Sequence, residues 1–228
     1  MKQLALDVSL APLPTLDNFV AGRNAELVHR LRGIHSAPRD DRSVYIWGAS
    51  GSGRSHLLRA VLTQLQDAGR RVSYLDCAID TCVSVPADAL DVVALDNVER
   101  LGEPGQIAFF NLYNAFRESG KTLLAAGDAP PMRLGLRAEI TTRLGWGAVY
   151  EVHGLTDAEK SDALAEHAAA RGFTLQPEVG RYLLTHVQRD MPTLLAILDT
   201  LDRYSLEAKR AVTVPLVREL LAVGPADK

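Results

Sequence analysis

Cysteine is scarce in this chain, since only Cys77 and Cys82 occur among its 228 residues. Their spacing matches no metal-binding or redox motif. The sequence therefore predicts reduced cysteine side chains, as is usual in a cytosolic protein.

Long apolar runs and an excess of basic residues are also lacking. No run is long enough to span a bilayer, and the opening residues 1–7 lack the uninterrupted apolar core of a signal peptide. A net charge of −3 argues against a broad basic surface for DNA or membranes. With 47% apolar residues and no low-complexity signature, we expect a cytoplasmic, globular protein without a membrane partner.

A glycine-rich segment at Gly48–Ser55, GASGSGRS, is the most informative motif present. It has the spacing of a phosphate-binding loop, with Arg54 where lysine is expected. An apolar run at 43–47 precedes it and a helical pattern at 56–65 follows, so strand, loop and helix occur in the required order. We expect the loop to bind a di- or triphosphate and Ser55 to reach a magnesium ion. The alternative is a flexible Gly/Ser turn.

Runs of apolar residues recur along the first two thirds of the chain and predict a parallel sheet covered on both faces. They occur at 44–47, 72–75, 92–95, 122–126 and 148–152. From Thr156 onward the patterns are helical, beginning with a capping box formed by Thr156 and Glu159. The predicted organisation is a tail at 1–11, an α/β nucleotide-binding base at 12–154 and a helical lid at 155–228.

Polar residues follow two of the predicted strands. Asp96 ends an apolar strand in the manner of a Walker B motif, where it would hold magnesium through water; the alternative is a strand-end turn. The next residue, Asn97, is a neutral amide that cannot act as a base, so we expect slow intrinsic turnover. Asp128 either senses a terminal phosphate or initiates a turn before Pro130.

Arg143 lies just before the last predicted strand. A cation at that edge could project into the nucleotide site of a neighbouring subunit as an arginine finger. The alternative is a solvated surface arginine.

The N-terminal segment at 3–8, QLALDV, alternates leucine with other residues ahead of Pro12 and Pro14. One interpretation is an extended peptide whose leucines fill an apolar pocket on a partner. The other is an edge strand of the sheet.

Several separated blocks resemble the Hda family of DnaA-related AAA+ proteins over nearly the full length of the chain. These blocks are 16–24, 51–58, 118–122, 127–131, 143–147, and 171–173 with 179–181. The resemblance implies an α/β fold with an AAA+ P-loop base, a parallel five-stranded sheet and a C-terminal all-helical lid.

The resemblance also implies a nucleotide site that holds ADP, or another adenine or cytidine nucleotide, and magnesium through Ser55 and Asp96. The nucleotide-binding residues it implies are Phe19, Val20, Gly48, Gly51, Ser52, Gly53, Arg54, Ser55, His56, Asp96 and Asp128. Pro192 stands where relatives carry a nucleotide-sensing arginine, so a contact from the lid to the phosphates would be lost. Arg189 is a weak substitute for it.

Two partners follow from the same resemblance. Gln3, Leu4 and Leu6 match a motif that binds the DNA polymerase III beta sliding clamp. Asp7 and Val8 depart from the usual ending of that motif, which would alter clamp affinity, and Val8 is still expected to belong to the clamp-binding segment. Arg143 matches the finger that such proteins offer to ATP-bound DnaA. DNA would be contacted only through the clamp, which would associate the protein with the nucleoid. The sequence leaves undecided whether the protein forms a homodimer whose interface buries Arg143.

Three functions compete at this point. The first is an adaptor with little or no ATPase activity of its own that inactivates DnaA. The second is a self-sufficient P-loop ATPase such as a helicase loader, against which Arg54, Asn97 and Pro192 all count. The third is a scaffold with a vestigial pocket.

Overall fold

The computed structural model describes residues 13–80, 85–187, 190–208 and 210–222. The chain forms two compact units, one spanning Pro14–Gly154 and one containing the residues from Leu155 onward. We call them the base and the lid.

Among its described residues, the base contains five strands and four α-helices. The strands are β1 (Ser43–Trp47), β2 (Val72–Asp76), β3 (Val92–Asp96), β4 (Thr122–Gly127) and β5 (Ala148–Glu151). The helices are α1 (Ala25–Arg32), α2 (Arg54–Asp67), α3 (Glu103–Glu118) and α4 (Ala138–Trp146). Single turns of 3₁₀ helix lie at Gly22–Asn24, Ile34–Ser36, Arg39–Asp41, Ala87–Ala89, Val98–Arg100 and Pro131–Arg133.

The five strands form one sheet in the order β2-β3-β4-β1-β5, with every neighbouring pair parallel. β3 and β4 are buried at each position, which explains why their sequences are continuously apolar. β5 lies at the edge and alternates in exposure. The predicted parallel five-stranded sheet is confirmed.

Helices cover both faces of this sheet and divide the base into two hydrophobic layers. On one face, Leu57 and Val61 of α2 pack with Leu27 of α1. On the other face, Phe109 of α3 and Ile140 of α4 lie in the second cluster. Because the strands run parallel, their carboxyl ends all meet at one edge, and the loops that follow them lie there.

The lid consists of α5 (Asp157–Ala170), α6 (Pro177–His186), α7 (Met191–Ala208) and α8 (Val214–Ala222). The predicted capping box opens α5, since the Glu159 carboxylate accepts from the Thr156 N–H at 2.7 Å and Thr156 Oγ1 accepts from the Glu159 N–H at 3.2 Å. The lid has its own core, which includes Leu164, Leu183 and Leu198. The predicted all-helical lid is therefore confirmed. In the part of the chain that the structure describes, no helix combines the length and hydropathy needed to cross a bilayer.

Candidate nucleotide-binding site

The phosphate loop connects β1 to α2 at the carboxyl edge of the sheet. Gly51 and Gly53 have φ values of +76° and +103°, a conformation that side chains with a Cβ rarely adopt. A Cβ on Gly53 would stand 2.7 Å from the Phe19 ring, and one on Gly48 would meet the Val152 carbonyl oxygen. The loop is thus a tight, sterically enclosed turn, which the alternative of a flexible Gly/Ser turn does not explain.

Two polar atoms of this loop are buried without a hydrogen-bond partner in the described residues, Ser52 Oγ and Arg54 Nη1. A buried donor left unpaired costs on the order of 1–3 kcal/mol. Both are donors, and they stand at the N-terminus of the 14-residue helix α2, where the backbone also favours negative charge. Phosphate oxygens would satisfy all of these groups at once.

Asp96 ends β3 as a fully buried carboxylate. Its Oδ2 accepts from the Tyr74 hydroxyl at 2.7 Å, and its Oδ1 accepts from the Asn97 N–H at 3.0 Å. Burial, followed by the bond to Asp96, raises the pKa of Tyr74 to about 12, so the phenol stays protonated and keeps donating. Asp96 is thereby held in one orientation at the edge that carries the phosphate loop.

Asn97 has a left-handed backbone conformation at φ +53°. Its side-chain amide donates to Asp76 Oδ1 at 2.8 Å. The amide is therefore engaged within the protein, and the residue that follows Asp96 offers no carboxylate to a water molecule.

The donors present fit a magnesium ion that arrives with a nucleotide. Ser55 is exposed in the first turn of α2, and each Asp96 oxygen keeps a second lone pair. No group of three or more His, Cys, Asp or Glu residues that could hold a metal exists within the described ranges. Mg²⁺ needs no such cage, because it takes one or two protein oxygens together with waters and phosphates.

Asp128 and Glu99 follow β4 and β3 at the same edge. Asp128 is exposed, whereas Glu99 is half-buried and its Oε2 atom has no partner in the described structure. Burial raises the pKa of Glu99, and the Asp128 carboxylate raises it further. Sequence reasoning missed Glu99. The only available signal was its place three residues beyond Asp96.

Phe19 and His56 lie beside the phosphate loop. Their ring centroids are 5.5 Å apart, and the His56 ring is bonded to the Thr15 carbonyl oxygen through Nε2 at 3.0 Å. Burial lowers the pKa of His56, which favours a neutral imidazole. The entry segment is thus fixed against α2, with Val20 half-buried next to Phe19.

Arg143 lies on α4, half-buried at the surface that α4 shares with α3. Its guanidinium stacks 3.7 Å from the Phe110 ring centroid and 5.1 Å from that of Trp146. Its Nε donates to Asn114 Oδ1 at 3.0 Å, and its Nη1 donates to the Glu139 carbonyl oxygen at 3.1 Å. The sequence did not indicate Phe110 or Asn114 as its neighbours.

The remaining predicted residues are not part of the base that the structure describes. Gln3, Leu4, Leu6 and Val8, like Arg189 and Cys82, lie outside the described residues. Pro192 is the second residue of α7, in the first turn where proline is tolerated.

Comparisons with known proteins agree with this architecture. A family model described as "Hda, lid domain" matches residues 157–221. Domain III of the Thermotoga maritima replication initiation protein DnaA is 19% identical, with a TM-score of 0.69, over 94% of this chain and 100% of that one. AMPPCP-bound DnaA from Aquifex aeolicus is 23% identical, with a TM-score of 0.69, over 87% of this chain and 68% of that one. A RuvB variant from Thermotoga maritima is 16% identical, with a TM-score of 0.60, over 94% of this chain and 73% of that one.

Proposed function

We propose that this chain is an Hda-like, DnaA-related AAA+ protein that acts as a regulatory adaptor of replication. It binds the DNA-loaded sliding clamp and stimulates ATP hydrolysis by DnaA, which prevents re-initiation. The protein is localised in the cytoplasm and associates with the nucleoid through the clamp.

The placement of Arg143 is the observation that carries this proposal. Its hydrogen-bond acceptors are neutral, and none of the ion pairs between described residues includes it. Its positive charge is therefore uncompensated at a surface, held by an aromatic ring and two hydrogen bonds. Such a guanidinium is suited to the triphosphate of a partner, where an arginine finger contributes about 10³–10⁵ in rate.

The protein's own nucleotide has a structural role. The phosphates are bound by Arg54, Ser52 and the N-terminus of α2. The adenine end of the site is lined by Phe19, Val20 and His56. We propose ADP as the occupant, with Ser55 and Asp96 holding magnesium, which would neutralise phosphate charge. Because Asn97 is engaged with Asp76 and carries no carboxylate, no residue at that position can activate water, and intrinsic hydrolysis stays slow.

Clamp binding is proposed from the resemblance of the tail. Gln3, Leu4, Leu6 and Val8 would dock as an extended peptide, with leucine side chains in an apolar pocket. A free homodimer, if it forms, would compete with DnaA for Arg143.

A reconstituted reaction tests the proposal. It contains ATP-bound DnaA, the clamp on DNA and this protein, compared with Arg143→Ala and with a variant lacking residues 1–8. We expect Arg143→Ala to bind the clamp. The stimulated rate of ATP hydrolysis by DnaA should be about 10³-fold lower than with the native protein. The deletion variant should lose only the part of the stimulation that depends on the clamp.

Arg203→Ala is the matched control, because it removes the same charge from an exposed position on α7. Full stimulation by Arg143→Ala would refute the finger. Rapid phosphate release by this protein alone, abolished by Asp96→Ala, would favour the self-sufficient ATPase.

A further inference from the structure

The amino-terminal edge of the sheet lies opposite the phosphate loop and carries a row of charged residues. The strands β2, β3, β4 and β1 are paired in that order, and they start level to within one residue. The residues directly before these four strands are Arg71, Asp91, Lys121 and Arg42. Their backbones are therefore neighbours along this edge, and three of the four residues are cations.

A surface cavity of about 240 Å³ opens at this edge, and we call it the amino-edge pocket. The charged residues that line it are Arg42, Arg70, Asp91 and Lys121, with His35 beside them. Its volume is below the range of about 300–1,000 Å³ that is typical of clefts for drug-sized molecules, so it suits a small ligand. Because the phosphate loop lies at the other edge of the sheet, the pocket is a separate place within the base.

The negative charge in the amino-edge pocket is already compensated. Asp91 accepts from the Arg71 guanidinium at 2.9 and 3.1 Å and from the Arg71 backbone N–H at 2.9 Å. Asp91 is also the one carboxylate among the described residues that line the pocket. Its pairing with Arg71 therefore leaves the other charged residues of the pocket without a negative partner there.

The positive charges of the pocket are not compensated. Arg42 donates through Nε and Nη1 to two backbone carbonyl oxygens, at 2.9 and 2.8 Å, and Lys121 Nζ donates to a third at 2.6 Å. None of the ion pairs between described residues includes Arg42, Arg70 or Lys121. Carbonyl dipoles offset only part of a charge, so three cations face one small cavity.

This arrangement favours a multivalent anion. Three like charges repel one another, and an anion between them replaces that repulsion by attraction. The bonds to carbonyl oxygens hold Arg42 and Lys121 in position before a ligand arrives, which lowers the entropy cost of binding. A guanidinium also matches the oxygens of a phosphoryl group in geometry.

We propose that the amino-edge pocket is a second anion site, which binds the phosphoryl groups of a small polyphosphate. The backbone of DNA has the same chemistry, but it requires a broad basic surface, and this chain has a net charge of −3. The inference goes beyond the proposed function and does not depend on it, since it requires no nucleotide at the phosphate loop.

Calorimetric titration with pyrophosphate, without magnesium, tests the site while the phosphate loop is blocked. The loop is blocked by saturating the native protein with ADP and, in a separate experiment, by the substitution Gly53→Ala. We expect pyrophosphate to bind with a stoichiometry of about one in both cases. Absence of binding in both overturns the inference, and it leaves ADP binding and the stimulation of DnaA untouched.

Two substitutions with opposite expected effects assign the binding to this pocket. Arg70→Gln removes an exposed cation and should weaken pyrophosphate binding about fivefold. Asp91→Asn removes the carboxylate and releases the charge of Arg71, so binding should become about fivefold tighter. Arg181→Gln is the control, because it removes an exposed cation from α6 of the lid and should change nothing.

Equal pyrophosphate affinity in Arg70→Gln and Asp91→Asn would overturn the assignment. A short DNA duplex, added at the same phosphate concentration, distinguishes the two sources of phosphoryl groups. We expect it to leave the bound pyrophosphate in place. Displacement of pyrophosphate by the duplex would overturn the assignment to a small ligand.

Discussion

The base places two arginines at two surfaces, and their surroundings differ. Arg54 closes the phosphate loop, and its buried Nη1 has no hydrogen-bond partner in the part of the chain that the structure describes, while the carboxylates of Glu99 and Asp128 lie near it. Arg143 lies on α4, stacked on Phe110 and bonded to neutral oxygens. Arg54 is thus placed among groups that need a ligand, whereas Arg143 is satisfied and keeps an uncompensated charge.

Under the proposed function, this contrast matches each arginine to a different nucleotide. A buried donor without a partner is costly, so Arg54 is suited to a ligand that stays bound. The Arg143 guanidinium is held at the surface by an aromatic ring and two hydrogen bonds while its charge stays unpaired among the described residues, which suits contact with a passing partner. The variants below test whether stimulation of DnaA through Arg143 and nucleotide binding at the phosphate loop can be changed independently.

The largest effect is expected from removing the side chains that hold Arg143 in place. Phe110→Ala removes the stacked ring and Asn114→Ala removes the acceptor of Nε. Since misplacing a catalytic group by about 1 Å can cost about 10²-fold, the double variant should stimulate DnaA about 10²-fold less in the reconstituted reaction. Its affinity for ADP should not change. Asn111→Ala, exposed one turn earlier on α3, serves as control, and an equal loss there would contradict the assignment.

Gly53→Ala should disable the protein's own site. The left-handed backbone costs about 1–2 kcal/mol for alanine, and the new Cβ would push against Phe19. We expect at least about tenfold weaker ADP binding by calorimetry, with an equivalent loss of thermal stability. Gly135→Ala is the control, because its Cβ would stand in open space; it should change neither ADP affinity nor thermal stability. Unimpaired ADP binding by Gly53→Ala would show that the loop is not the nucleotide site.

Tyr74→Phe should destabilise the edge that carries Asp96. It deletes a hydrogen bond to a buried carboxylate, which costs about 1.5–3 kcal/mol. Chemical denaturation measures this as a lower free energy of unfolding. Tyr150→Phe removes a hydroxyl from a half-buried tyrosine on β5 and is expected to be nearly neutral. Equal stability of the two variants would mean that Tyr74 does not anchor Asp96.

Arg54→Lys should have the smallest effect on turnover. Lysine restores the usual phosphate-loop residue, yet Asn97 still cannot act as a base. Phosphate release by the purified protein should therefore stay within about twofold of the native rate, a difference well below 1 kcal/mol. An increase of tenfold or more would show that Arg54, and not Asn97, limits hydrolysis.

Most of the fold was predictable, because it depends on local patterns. The apolar runs indicated all five strands, and the helical patterns after Thr156 indicated the lid. Boundaries shifted by one or two residues, as at α2, which begins at Arg54 rather than His56. Helix ends depend on how the preceding loop turns, and here Gly53 determines where the helix begins.

The candidate site was predictable only where its motif is contiguous in the sequence. The phosphate loop and Asp96 are read directly from the sequence. Glu99 was not, because its position depends on the left-handed turn at Asn97 and on burial against another strand end. Asn114 was missed for a similar reason, since it lies 29 positions from Arg143 and only the packing of α3 on α4 brings the two together.

The most direct test is a single-turnover measurement of the conversion of DnaA-bound ATP to ADP, with the clamp loaded on DNA. Native protein should accelerate conversion, and Arg143→Ala, folded and bound to the clamp, should leave it at the rate of DnaA alone. Conversion by the variant at the native rate would contradict the assignment of Arg143 to a partner's triphosphate.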